Sequence, residues 1–185
     1  MSLKLLISGI FFGFSFGAVS QKSHFVGEYA EGGIIYYVYQ DSSGHEHGLV
    51  VSLKNVGREA IWGPKDLEVQ NCTSTWNGQS NTEAILMATK DTTTAAGLCN
   101  GYLSEGYDDW YLPAIFELSI INTHLFAVEK ALADIDGADS IEMNLYWSST
   151  QSNAASAWFY SFFDFKPTNY FDKTSRTLVR AVRSF

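Results

Sequence analysis

The strongest pattern in the chain is helical. After Leu112-Pro113, Ile115, Leu118, Ile121 and Leu125 recur at the spacing of one helix face. Proline suits the first turn, where its missing N–H would have no partner in any case. Val128, Ala131, Leu132 and Ile135 repeat the pattern, which predicts a second helix or a continuation, and Asp136-Gly137-Ala138-Asp139 ends it. Upstream, Ser80-Asn81-Thr82-Glu83 has the form of a capping box and predicts a helix from there to about Lys90. A further helical turn is expected over 95–99, weakened by Gly97. Residues 33–39 are β-branched and aromatic and end at Asp41-Ser42-Ser43-Gly44, so they read as a strand and turn, with 49–53 as the hairpin partner. Three late strands are expected over 145–149, 157–165 and 177–182, with 152–156 and 164–175 as loops. No internal repeat and no linker interrupts this series, so the fold class is a single α+β domain over 21–185.

Residues 1–20 stand apart. Lys4 precedes an uncharged apolar run from Leu5 to Val19, and Ala18-Val19-Ser20 places small residues where a signal peptidase cuts. A signal peptide removed before Gln21 is expected, and an uncleaved anchor is the alternative. No later run has the length of a membrane span, so no span is expected in the mature chain. The destination that follows is secreted or cell surface.

Composition narrows the function classes. With 46% hydrophobic and 17% charged residues, the chain has too much core-forming material to be disordered. The net charge is −8, and no run of Lys or Arg supplies the basic stripe that nucleic acid requires. Export also bears on Cys72 and Cys99. In an oxidising compartment an even count reads as a disulfide, and two free thiols are the other reading.

Candidate chemistry is sparse. His45-Glu46-His47 would share a strand face as zinc ligands, but a third ligand is not marked and a solvated turn accounts for it. Asp108-Asp109 reads as a solvated loop end rather than a calcium or paired-acid site. Phosphate-loop, dinucleotide and nucleophile-elbow motifs are missing from the sequence. No metal and no cofactor are therefore expected. Trp110, Trp147 and Trp158 fall in or beside predicted elements and read as core. Trp62 and Trp76 fall in loops, where an indole either stacks on a sugar ring or folds back over the core. Arg180 lies between Leu178 and Val182 on the last strand, with Arg183 on the opposite face, so Arg180 is expected to be buried and paired, with Glu117 as the candidate partner.

One ordered series of short motifs remains: Gly32-Gly33-Ile34-Ile35-Tyr36-Tyr37-Val38, His47-Gly48-Leu49-Val50, Asp109-Trp110-Tyr111-Leu112-Pro113 with Glu117-Leu118, Tyr146-Trp147-Ser148-Ser149-Thr150, Ala157-Trp158 and Val179-Arg180-Ala181-Val182-Arg183. From about Gly32 to Phe185 the chain resembles the Lcl C-terminal domain family of secreted bacterial proteins, named after a collagen-like adhesin. That family is similar to the major-paralogue surface domains and, more remotely, to the formylglycine-generating enzyme group. The resemblance implies a C-type-lectin-like domain with short twisted antiparallel strands, two to three helices and long irregular loops. It does not imply the enzyme's activity, which relies on late cysteines, because nothing after Cys99 is cysteine. The lectin calcium motif Glu-Pro-Asn is also missing. The expectation is a non-enzymatic binding domain for a glycan or a surface protein. A structural or protein–protein interaction module of the envelope is the alternative, and an enzyme whose pocket is invisible in sequence is a third. By analogy with the ligand face of such folds, the ligand-binding candidates are Trp62 and Trp76 together with Asp164, Asn169 and Tyr170. The acidic balance favours neutral or cationic ligands over sulfated ones.

Overall fold

A twisted sheet forms the centre of the molecule. The computed structural model describes residues 23–185, so the expected leader at 1–20 lies outside the described residues. Among these residues the strands are β1 (Tyr29–Ala30), β2 (Gly33–Gln40), β3 (Glu46–Ala60), β4 (Leu145–Gln151), β5 (Ser156–Ser161), β6 (Lys166–Asp172) and β7 (Thr177–Ser184). They join in the order β1-β2-β3-β7-β4-β5-β6. Every neighbouring pair is antiparallel except β4 and β7, which run parallel and meet at Tyr146 and Leu178. The helices are α1 (Gly78–Thr89), α2 (Ala95–Asn100), α3 (Ile115–Thr123) and α4 (Leu125–Ala133). The α+β class holds, with four helices around a mixed sheet among the described residues.

Strand periodicity sorts the core into two layers. Ile35, Val50, Trp147, Val179 and Ala181 point to one side, where they meet Trp62, Trp110, Ile85 of α1 and Cys99 of α2. Ile34, Tyr36, Val51, Tyr146, Leu178 and Val182 point to the other and meet Ile115, Leu118 and Ile121 of α3 and Val128 and Leu132 of α4. The sheet is thus covered on both faces.

Several expectations change. The first helix is capped by Asn77, whose Oδ1 accepts from the Ser80 amide at 2.9 Å, so Ser80 is not its cap. Asn81 is buried instead and its side-chain amide donates to the Ser74 carbonyl at 2.7 Å. The later helical run divides at His124 into α3 and α4. β3 extends well past the expected 49–53, through register irregularities that admit polar residues. β6 occupies a stretch that reads as a loop. It is an edge strand with mostly exposed side chains, which is why it lacks the apolar alternation and why Pro167 is tolerated.

The expected disulfide is not formed. Cys72 and Cys99 are free and fully buried. The Cys72 thiol donates to the Ser149 carbonyl at 3.2 Å, while Cys99 packs as a small apolar group on α2. Burial pushes Cys72 up to about 12 and Cys99 well above its usual range, which disfavours the nucleophilic thiolate at both.

Arg180 is buried as expected, but its partner is not Glu117. Its guanidinium donates to the Asp139 carbonyl at 2.8 Å and to Asn55 Oδ1 at 3.2 Å, because the loop after α4 reaches the strand at that level. Arg183, on the other face, forms a two-point bond to Asp109 at 2.6 and 2.9 Å and stacks on Tyr107 at 4.0 Å. Asp109 is thus an ion-pair partner rather than a solvated loop end.

Candidate cleft between the third helix and the sheet

The N-terminus of α3 is held by its own third residue. The Ala114 amide donates to Glu117 Oε2 at 2.7 Å, and the Tyr111 hydroxyl donates to Oε1 at 3.0 Å. Tyr111 is fixed in turn by a backbone bridge to Val182 of β7. The start of α1 presses against the same carboxyl. Gly78 lies so close to Glu117 Oε2, the Ala114 nitrogen and the Leu112 carbonyl that a β-carbon there would collide with all three. The Gly78 amide also helps to hold the carboxyl. Just before it, the Trp76 and Asn77 amides donate to Ser74 Oγ at 3.3 and 2.9 Å, and this turn projects the Trp76 ring outward onto Phe116 at 4.6 Å.

Together these elements border a cleft of about 470 Å³. Tyr37 and Tyr39 of β2, with ring centroids 5.7 Å apart, line it together with Trp76. Asn77, Gln79 and Ser184 contribute polar groups, and Tyr111 and Glu117 contribute the floor. Burial of Glu117 raises its carboxyl to about 7, against the three hydrogen bonds that favour the anion. The cleft therefore holds a carboxyl that changes charge near neutrality.

The sequence-level candidates separate. Trp76 is 64% exposed and lines the cleft. Trp62 is fully buried, and its indole N–H donates to the Ser148 carbonyl at 2.9 Å, so it packs the core and is withdrawn as a ligand residue. The cleft lining does not include Asp164, Asn169 or Tyr170. Asp164 accepts from Ser161 Oγ at 3.0 Å in the β5–β6 turn, and Asn169 and Tyr170 lie exposed on β6. Tyr37, Tyr39, Asn77, Gln79, Tyr111 and Ser184 also line the cleft, and their residue types alone do not mark them for ligand contact. The legible signal is the spacing of Tyr37 and Tyr39, two residues apart on one expected strand and therefore on one of its faces.

Glu117 is the one acidic residue among the described lining residues, so the cleft lacks the pair of carboxylates that acid–base glycoside cleavage uses. Among the described residues no group of three His, Cys, Asp or Glu side chains is placed to hold a metal. His45, in the exposed β2–β3 turn, and His47, at the start of β3, both face Asp41, at 3.7 and 3.3 Å. Among the described residues no helix is long and apolar enough to cross a membrane.

A mixed-sheet α+β domain with an aromatic cleft is the class that this geometry defines. The Lcl C-terminal domain model matches residues 60–183, and the chain belongs to that family. No curated protein sequence matches it. The fold is similar to that of a crystal structure of a fimbrial protein from Bacteroides ovatus ATCC 8483, with a TM-score of 0.57 and 15% identity. The match covers 81% of this chain and 43% of the fimbrial protein, so the chain spans less than half of that protein's length.

Proposed function

We propose that the domain is a non-enzymatic binding module, exported to the cell surface, whose cleft takes a neutral or cationic ligand such as a glycan. The observation that carries this reading is the pairing of exposed aromatic faces with a few polar groups. Tyr37, Tyr39 and Trp76 offer flat apolar surfaces, while Asn77, Gln79 and Ser184 offer donors and acceptors. A sugar ring has an apolar face and a polar rim, and such a cleft suits both. The net charge of −8 disfavours sulfated chains. Family membership and the fimbrial likeness support a surface setting, and a C-type-lectin-like arrangement of loops around the cleft is part of the proposal. The test is a glycan array followed by titration with Trp fluorescence. Binding of a neutral glycan that Trp76→Ala abolishes is the expected result. Heparin-type binding that tightens at low salt would overturn it.

The second reading, an interaction module of the envelope, is favoured by a different surface. Phe163, Phe165 and Tyr170 stand 73%, 55% and 79% exposed around the β5–β6 hairpin, beside the open edge of β6. Concentration-dependent self-association lost on Tyr170→Lys, with no glycan bound, would establish that reading instead.

A further inference from the structure

Lys173, just after β6, plays no part in the cleft. Its side chain is wholly buried, an uncommon position for an ammonium. Its Nζ donates to the Leu67 carbonyl and to Gln151 Oε1, each at 2.7 Å, and lies 4.4 Å from the centre of the Trp62 ring. Gln151, at the end of β4, is 2% exposed and is held from every side. Its Oε1 also accepts from the Val69 amide at 2.9 Å, and its Nε2 donates to the Val69 carbonyl at 3.1 Å and to Glu68 Oε1 at 2.9 Å. An amine therefore touches an amide carbonyl that a backbone N–H polarises, and a carboxylate touches the amide nitrogen. Acyl transfer needs these parts: a nucleophile, a donor for the oxyanion and a proton carrier.

We infer that Lys173 and Gln151 join in an intramolecular isopeptide bond, with Glu68 carrying the proton. Neutral Lys173 Nζ attacks Gln151 Cδ, and the carbonyl pair moves onto Oε1, where the Val69 amide holds it. Glu68 takes a proton from Nζ and gives it to Nε2. The oxyanion pair re-forms the carbonyl, the Cδ–Nε2 bond breaks, and ammonia leaves. Atoms and electrons balance without an oxidant or a metal. Burial lowers the Lys173 ammonium to about 8, so a usable share of neutral amine exists near neutrality. The Trp62 ring covers the amine and keeps out the water that would compete for the carbonyl. Glu68 itself is exposed, which gives ammonia a way out.

The test is a tryptic map of the full exported chain after prolonged incubation at mildly alkaline pH. Peptide mapping is needed because a Gln21 freed by leader removal would lose the same mass on cyclising. The bridged protein resists cleavage after Lys173 and gives one looped peptide from Ala131 to Arg176. That peptide is lighter by one ammonia, and its fragment ladder is silent between Gln151 and Lys173. Glu68→Gln keeps the hydrogen bond to Gln151 but cannot relay a proton, and is expected to fold and lose the loop. A linear peptide from Ala131 to Lys173 of unaltered mass in the native protein overturns the proposal. A loop as complete in E68Q as in the native protein overturns it too.

Discussion

On the sheet face covered by α1 and α2, the indole N–H groups of Trp62, Trp110 and Trp147 donate to the backbone carbonyls of Ser148, Tyr107 and Ala60. On the face covered by α3 and α4, tyrosines occupy the comparable positions and meet titratable or polar side chains. Tyr111 donates to Glu117, and Tyr146 donates to Asn55 Oδ1 and accepts from the Glu142 amide. Among the described residues the Tyr36 hydroxyl is buried without a partner. An indole has a single donor, which one carbonyl satisfies at any pH. A phenol both donates and accepts, so it draws other polar groups into the interior, and one of these is a carboxyl with a displaced titration. The indole face is closed packing. The phenol face opens at its margin into the cleft. Comparable aromatic content thus yields a closed face on one side, where the displaced titration of Lys173 is sealed beneath Trp62, and on the other a face whose displaced carboxyl borders an open cleft.

The largest effect that would test this contrast is on the closed face. Trp147→Ala should cost about 3–5 kcal/mol, through lost burial and a stranded Ala60 carbonyl, and do so equally at every pH. Chemical denaturation at two pH values measures this, and a pH-dependent loss would break the contrast.

Next comes Glu117. The folded carboxyl keeps its proton up to about 7, whereas the unfolded one releases it near 4.5. Between these values the unfolded state binds fewer protons, so stability should fall as pH rises, by about 3 kcal/mol in all. Glu117→Gln mimics the protonated group, and its stability curve should be flat across the same window. A native protein equally stable at both ends of the window would show that the carboxyl is ionised throughout.

A smaller change is expected at Tyr36. Removing its unpaired hydroxyl with Tyr36→Phe should stabilise the fold by about 1 kcal/mol. A loss of similar size would reveal a partner for that hydroxyl, such as a buried water. The smallest effect belongs to Trp76→Ala, whose ring is largely in solvent. Stability should move by no more than about 0.5 kcal/mol while ligand binding is lost, and thermal unfolding alongside titration separates the two.

The sequence was most readable where burial is one-sided and periodic. Ile115, Leu118 and Ile121 announced α3, and Leu178, Arg180 and Val182 announced the alternation of β7. β6 is not legible, because an edge strand in solvent has no apolar alternation to display. Leu178 and Val182 mark Arg180 as buried, but its partner is not legible, since a backbone carbonyl such as that of Asp139 has no residue type to betray it. The same holds for Trp62. A loop position next to Gly63 and Pro64 gives no indication that the ring turns inward to meet Ser148 and Lys173. The cleft draws on β2, α1, α3 and β7, and only the fold brings Tyr37, Trp76, Glu117 and Ser184 together.

The placement of β7 has a consequence for how the molecule is made. Among the described residues it is the last strand in sequence, yet it lies between β3 and β4 and joins the two halves of the sheet. A chain threaded amino end first through a ribosome tunnel or an export pore would present β1, β2 and β3, then β4, β5 and β6, as two ribbons with open edges. Neither can close until residues 177–184 emerge. The sheet should therefore form late and all at once, which keeps the chain loose during passage and makes any stall before β7 a source of sticky, half-built material.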